Sequence, residues 1–88
     1  MECYMCDCKL DYIPELNTKL KILHLNDNDI KDIPILNEDL EELRFTNNKV
    51  KIFPILNKKL KIVDCKYNKI EIIGITNENL VYFDFSNN

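Results

Sequence analysis

Residues 40–59 read LEELRFTNNKVKIFPILNKK, and this stretch decides the fold because its pattern returns along the chain at a fixed spacing. Apolar residues stand at Leu40, Leu43 and Phe45, and Asn48 follows three positions later. Shifts of twenty residues reproduce this order at Leu20, Leu23, Leu25 and Asn28, at Leu60, Val63, Cys65 and Asn68, and at Leu80, Phe83, Phe85 and Asn88. A constant period of this length is typical of repeat proteins, in which each repeat packs only on its neighbours.

The shared motif, L-x-x-L-x-L-x-x-N-x-L, resembles the signature of leucine-rich repeats and covers essentially the whole chain. The return stretch IPILN at residues 33–37 is similar to the L-P-x-L-P of the short bacterial class to which the Yersinia effector YopM belongs, with Asn in place of the last Pro. The excess of Ile, Asn and Lys in such short repeats also resembles the leucine-rich gene families of insect poxviruses. The resemblance implies a leucine-rich-repeat fold and an effector that acts inside a host cell.

The spacing itself predicts how each repeat folds. The final L-x-L of the motif is expected to be a short β-strand with alternate side chains facing inward, beside a parallel strand from the next repeat. Pro14, Pro34 and Pro54 favour an extended or polyproline-like return. We therefore expect a mostly β, right-handed solenoid with a parallel sheet on its concave face and an extended convex side. The 88 residues, divided by a period of 20, give one domain of about 4.4 repeats, with turns near 1–19, 20–39, 40–59, 60–79 and 80–88.

Two columns of asparagine recur with the same period. The first follows each strand, where a buried amide can bond the backbone of its own and the adjacent turn, and comprises Asn28, Asn48, Asn68 and Asn88. Loss of such an amide would leave buried main-chain groups unpaired, at about 1–3 kcal/mol each. The second column precedes each strand, where asparagine is expected to bond its own backbone in a turn, and comprises Asn17, Asn37, Asn57 and Asn77.

Charge and hydropathy exclude several classes of function. The formal net charge is −3 and no basic stripe is evident, which argues against nucleic acid as a partner. No apolar run reaches the length that crosses a membrane. Met1 leads directly into a repeat without a signal-peptide pattern. We therefore expect no nucleic-acid or membrane partner and a cytoplasmic location, which the resemblance extends to the cytoplasm of a host cell.

The four cysteines are the residues with the most reactive side chains. Cys3, Cys6 and Cys8 crowd the N-terminus, but Cys65 lies three repeats away, so a four-ligand zinc site is not expected. Cys3 and Cys65 occupy inward leucine positions, where a free thiol packs as a small apolar residue, and Cys8 takes the place of a first-column asparagine. An N-terminal disulfide and a metal site are the alternatives. We expect neither a metal nor a cofactor.

Few residues are suited to catalysis. His24 is the only histidine and lies in the middle of a strand, whereas Ser86, the only serine, lies three repeats away. A nucleophile and its base must be within hydrogen-bonding reach of each other. Gly74 is the only glycine, so no glycine-rich phosphate-binding loop is present. We expect a protein without enzymatic activity and without catalytic residues.

The outward positions of the strands differ between repeats, whereas the inward positions recur. They include Tyr and Arg, the residue types enriched at binding hot spots. We predict a protein–protein interaction module that binds a protein partner through the concave sheet, and the resemblance implies a viral or bacterial host-interaction factor. A plain solvated strand face is the alternative. The predicted partner-binding residues are Tyr4, Ile22, His24, Glu42, Arg44, Ile62, Asp64, Lys66, Tyr67, Tyr82 and Asp84.

The C-terminal end of the stack predicts a second kind of contact. Leu80, Phe83 and Phe85 repeat the inward apolar positions but have no following turn to cover them. An open apolar edge strand is a ready site for pairing with another chain. The alternative function is therefore structural, as a self-associating solenoid or a fragment of a longer repeat array with no dedicated ligand.

The convex side carries an unusual column of isoleucines. Three of them follow the Pro or Gly of the return stretch and should face outward, namely Ile35, Ile55 and Ile75, and they are expected near Ile52 and Ile72. An exposed apolar patch would indicate a second contact surface. The alternative is that irregular backbone tucks these side chains against their neighbours.

Overall fold

The computed structural model describes residues 1–15, 18–53, 56–71 and 79–88. These residues form five β-strands of three residues each and no helix. The strands are β1 (Glu2–Tyr4), β2 (Ile22–His24), β3 (Glu42–Arg44), β4 (Ile62–Asp64) and β5 (Tyr82–Asp84). Each strand starts twenty residues after the one before it, as the period of the sequence predicts.

The strands form one parallel sheet in chain order, β1-β2-β3-β4-β5. Each residue pairs with the residue twenty positions later, so that Leu43 lies between Leu23 and Val63. Main-chain bonds continue the pairing beyond the strands, as where the N–H of Phe45 donates to the C=O of Asp64 at 2.9 Å. The predicted fold class is confirmed: the chain is a parallel β-solenoid of the leucine-rich-repeat-like kind, with about four turns.

Inward-facing side chains form one narrow core along the stack. Burial of a large aliphatic or aromatic side chain stabilises a fold by about 1.5–3 kcal/mol. The buried apolar residues are Leu20, Leu23, Leu25, Ile30, Leu36, Leu40, Leu43, Phe45, Val50, Phe53, Leu60, Val63, Cys65 and Ile70. They come mainly from the three middle turns, because only a turn with a neighbour on both sides can bury its apolar face fully.

The first asparagine column forms a continuous ladder. In Asn48, Nδ2 donates to the C=O of Leu25 at 2.9 Å and of Phe45 at 3.1 Å. Oδ1 of the same side chain accepts a hydrogen bond from the N–H of Ile30 at 3.0 Å. Equivalent bonds recur at Asn28, Asn68 and Asn88. Each amide thus joins its own turn to the turn before it.

The second asparagine column supports the turns before β3 and β4. Oδ1 of Asn57 accepts a hydrogen bond from the N–H of Lys59 at 2.9 Å, which is the local turn bond that the sequence predicts. Its Nδ2 donates to the C=O of Asn37 at 2.6 Å, and Nδ2 of Asn37 donates to the C=O of Leu20 at 2.8 Å. This column therefore also joins neighbouring turns. The other two members, Asn17 and Asn77, lie outside the described residues.

The return stretches form neither helix nor strand at Pro14 and Pro34, while Pro54 lies outside the described residues. Ile35 is 94% exposed and Ile52 is 67% exposed, so neither is tucked against its neighbours. The remaining isoleucines of the convex column, Ile55, Ile72 and Ile75, lie outside the described residues.

The chain leaves each strand through a residue with a left-handed backbone. The value of φ at these positions is 53° at Asp7, 60° at Asp27, 58° at Asn47, 55° at Tyr67 and 60° at Asn87. Asp and Asn adopt this conformation more readily than other non-glycine residues, because their short polar side chains can bond locally. Tyr67 is therefore an exception, as the one aromatic residue in this column.

Candidate binding face

Alternation along the strands places two side chains of each strand on the outer side of the sheet. We call this surface the concave face; its members are Glu2, Tyr4, Ile22, His24, Glu42, Arg44, Ile62, Asp64, Tyr82 and Asp84. Five strands at a spacing of about 4.8 Å give it a length of roughly 19 Å. Its middle is half-buried, whereas Tyr4 and Tyr82, on the two outermost strands, are 56% and 42% exposed.

A chain of ion pairs crosses the middle of the concave face. Glu42 accepts a hydrogen bond from Nε2 of His24 and another from Nε of Arg44 at 3.2 Å. Arg44 reaches over the next strand, where Nη1 donates to Oδ2 of Asp64 at 3.4 Å. The hydrogen bond from His24, and then that from Arg44, lower the pKa of Glu42 against the opposing effect of burial. These contacts hold the guanidinium in one orientation across three strands.

Asp64 is the buried centre of the charged face, with only 6% of its surface exposed. Its carboxylate faces Arg44 at 3.4 Å and Nζ of Lys66 at 3.6 Å, and it accepts the N–H of Lys66 at 3.3 Å. A carboxylate is buried in a folded protein only where cations and donors surround it. Lys66 therefore belongs to the same network although it follows the strand.

Aromatic rings border this network on both sides. The ring of Tyr4 meets the ring of His24 edge-on at a centroid distance of 4.7 Å. The guanidinium carbon of Arg44 lies 5.9 Å from the ring centroid of Tyr82, within the range of a cation–π contact. Beside that ring, Asp84 has a lowered pKa, chiefly because it accepts the backbone N–H of Ser86 at 3.0 Å. The face therefore combines two exposed aromatic rings with one ordered cation.

Ten of the eleven predicted partner-binding residues are thus gathered in the described structure: nine lie on the concave face, and Lys66 contacts it. Tyr67 lies apart, in the left-handed column that follows the strands. Whether any of these residues binds a partner stays a prediction.

Tyr67 combines exposure with backbone strain. Its side chain is 55% exposed, and its φ of 55° lies in a region that costs a non-glycine residue about 1–2 kcal/mol. Its main chain is hydrogen-bonded to both neighbouring turns: its C=O accepts the N–H of Asn48 at 3.2 Å, and its N–H donates to the C=O of Ser86 at 3.1 Å. Because all five turns share this φ, the conformation belongs to the repeat, and only the residue type at position 67 departs from it. The sequence already identifies this position as a predicted partner-binding residue, and alignment of the repeats shows that Tyr replaces Asp or Asn in this column.

The cysteines follow the repeat only in part. All four are free thiols; Cys65 is buried and Cys3 half-buried, as their inward positions predict. Cys8 aligns with the first asparagine column, since its N–H donates to Oδ1 of Asn28 at 3.0 Å, but its side chain is exposed. Cys8 thus occupies the asparagine position that the sequence predicts, and its thiol is exposed because its turn has a neighbour on one side only. In the described part of the chain, no group of three or more His, Cys, Asp or Glu could hold a metal ion.

We predict that Cys65 resists alkylation in the folded protein. Burial raises its pKa from 9.0 to about 12, which lowers the thiolate population about a thousandfold at a given pH. Exposed Cys6 and Cys8 should react with iodoacetamide at neutral pH, whereas Cys65 should react only after unfolding. Peptide mass mapping of native and urea-treated protein measures this, and rapid native labelling of Cys65 would contradict its burial.

The edge of β5 carries the residues predicted to support self-association. Phe83 is half-buried, with its ring 5.3 Å from Phe53 and 5.2 Å from Phe85, and Leu80 is half-buried as well. Phe85 is 46% exposed. Within the described residues β5 pairs with β4 alone, so its other edge has no partner strand.

The sheet, the buried ladder and the ordered face define a leucine-rich-repeat-like parallel solenoid. Comparison of the chain with protein-family models, with curated proteins and with solved structures found no match in any of the three. The described residues include no helix of the length and apolarity needed to cross a bilayer.

Proposed function

We propose that this protein is a non-enzymatic interaction module that binds a protein partner through the concave face. The observation that carries the proposal is the ordered cation Arg44, fixed by Glu42 and Asp64 beside the exposed ring of Tyr82. Arg and Tyr dominate binding hot spots, and a side chain already held in place loses less entropy when a partner docks.

The size of the molecule is compatible with this role. A specific interface buries about 800 Å² on each partner. The whole chain exposes 5742 Å², so such an interface would need only about one seventh of its surface. The five strands form a continuous surface of charged side chains with aromatic residues on the two outermost strands.

We also infer the biological setting from the repeat itself. The twenty-residue period and the IPILN return support membership of the short leucine-rich repeats, similar to the YopM-like bacterial class and to the repeat families of insect poxviruses. A host-interaction factor acting in the cytoplasm of a host cell is the role that this likeness favours.

Site-specific photo-crosslinking tests the binding face. Benzoylphenylalanine in place of Tyr4 puts the probe on the concave face, and the same group in place of Ile35 is the convex control, since both side chains are exposed. In extracts of a host cell, the Tyr4 position should crosslink a defined protein, and excess unlabelled chain should compete. An Arg44→Gln competitor with an unchanged melting temperature should compete at least tenfold less well. Equal crosslinking from Ile35, or equal competition by Arg44→Gln, would refute the proposed face.

Self-association through β5 is a second candidate, which the exposure of Phe85 and of Val81, 83% exposed, favours. Light scattering over a dilution series should then show a mass that rises with concentration. Phe85→Asp should hold the protein monomeric, whereas Asn87→Asp, which adds the same charge nearby, should not. A constant monomer mass up to about 1 mM would exclude this candidate.

A further inference from the structure

A lysine-lined groove lies on the flank of the solenoid, where each turn leaves the asparagine ladder and begins its return. Its volume is about 430 Å³. It is lined by Lys31, Asp32, Lys49, Lys51, Ile52 and Lys69. None of these residues belongs to the concave face, so the groove is a separate surface.

Stacking of the turns places the four lysines in neighbouring positions. The N–H of Lys49 donates to the C=O of Ile30 at 2.8 Å, and the N–H of Lys69 donates to Val50 at 3.0 Å, so neighbouring turns are in direct main-chain contact here. Lys31 and Lys51 therefore occupy equivalent positions one turn apart, as do Lys49 and Lys69. Like charges in such neighbouring positions repel each other.

Acidic residues compensate this charge only in part. Lys49 forms an ion pair with Asp29 at 3.2 Å. Lys31, Lys51 and Lys69 form no ion pair with any described residue, although Asp32 lines the groove and Glu71 follows one turn after Lys51. Within the described residues, three of the four groove lysines therefore have no carboxylate partner.

The opposite flank shows that this arrangement is not a general property of the repeat. There Lys59 pairs with Asp39 of the preceding turn at 2.8 Å, and Lys61 pairs with Glu41 at 3.6 Å. The hydrogen bond and then the charge of Lys59 lower the pKa of Asp39. On that flank each of these two lysines pairs with a carboxylate one turn before it, whereas among the groove lysines only Lys49 does so within the described residues.

We infer that the groove binds an acidic segment of a partner protein, one that carries apolar side chains among its carboxylates. The carboxylates would meet the ammonium groups, and an apolar side chain would cover Ile52, which is 67% exposed within the groove. The groove and the concave face are separate surfaces, so an experiment can refute the proposal for one without affecting the proposal for the other.

The distribution of charge favours a short acidic peptide over nucleic acid. The groove lining carries four lysines and one aspartate, a balance of +3, while the whole chain has 12 basic and 15 acidic side chains, a balance of −3. The remaining surface therefore carries −6. A polyanion longer than the groove would extend over negatively charged surface, whereas a peptide of a few residues would stay within the positive field.

A binding titration with defined probes tests this inference. The probe is a fluorescein-labelled peptide of alternating Glu and Leu, followed by fluorescence anisotropy at low ionic strength and again at about 0.15 M salt, where surface charges are screened beyond about 8 Å. Lys31→Gln with Lys51→Gln removes two charges from the groove. Lys59→Gln with Lys61→Gln removes two charges from the opposite flank and is the matched control.

We expect the groove variant to bind the peptide roughly tenfold more weakly than the wild type, and the control variant to stay within about twofold. An all-Glu peptide should bind more weakly than the Glu-Leu peptide, because it cannot cover Ile52. An equal loss in both variants would overturn the inference in favour of a non-specific charge effect. Absence of binding to the wild type, or tighter binding of an oligothymidylate of equal charge, would overturn it as well.

Discussion

Replacement of Asn48 by alanine is expected to lower the free energy of unfolding by about 3 kcal/mol. The substitution removes an acceptor for the N–H of Ile30 and a donor for the C=O groups of Leu25 and Phe45. Each buried main-chain group left unpaired costs about 1–3 kcal/mol, and partial access of water reduces the sum. For a domain of this size the melting temperature should fall by roughly 10–20 °C, as circular dichroism would measure.

Asn88→Ala provides a control within the same column. Its amide makes equivalent bonds to Ile70, Cys65 and Phe85, but the residue is exposed, so water can replace the lost partners. Asn88→Ala should therefore lower the free energy of unfolding by about 1 kcal/mol or less. Asn48→Asp should be at least as damaging as Asn48→Ala, because a carboxylate has no donor for the two carbonyls. A larger loss at Asn88 than at Asn48 would disprove the role assigned to the ladder.

The sequence alone predicts this ladder because the period forces it. When strands pair in a register of twenty residues, Asn28, Asn48 and Asn68 must lie above one another, whatever the details of the return. The same logic gives the inward positions of the core and the outward positions of the concave face. The link that Asn57 makes to Asn37 does not follow from the period, since it depends on how the turn is closed.

The chemistry of the surfaces could be predicted less completely. The outward columns identify Arg44 and Asp64 as neighbours, but the burial of Asp64 depends on where two flexible cationic side chains come to lie. The sequence shows no basic stripe and does not by itself predict the lysine groove. The period places Lys31 beside Lys51 and Lys49 beside Lys69, but it does not show that these two columns line one groove.

The second large expected effect concerns Tyr67. If the partner surface extends beyond the concave face to Tyr67, as the sequence predicts, Tyr67→Asn should weaken binding by about 30-fold, since truncation of a hot-spot aromatic costs about 2 kcal/mol or more. The same substitution should raise the free energy of unfolding by about 1 kcal/mol, because asparagine tolerates the left-handed backbone at this position better than tyrosine does. Denaturant unfolding measures the stability, and competition in the crosslinking assay measures the binding.

Two further variants are controls: one removes only the hydroxyl group of Tyr67, and the other places a ring on the same backbone conformation elsewhere. Tyr67→Phe keeps both, so the stability should be unchanged and the binding should fall by no more than about threefold. Asn87→Tyr introduces a ring at the equivalent position of the next turn, where φ is 60°, and should lower the stability by about 1 kcal/mol without improving binding.

The Tyr67 experiment is informative because the expected effects on stability and on partner binding have opposite signs. A surface aromatic that merely packs on its own protein would lose stability when it is truncated, and its effect on binding would follow from unfolding. A residue whose strain is offset only in the complex must gain stability when the strain is relieved and lose affinity at the same time. If Tyr67→Asn lowers the stability, the ring makes stabilising contacts within the chain, and its assignment to the partner surface is wrong.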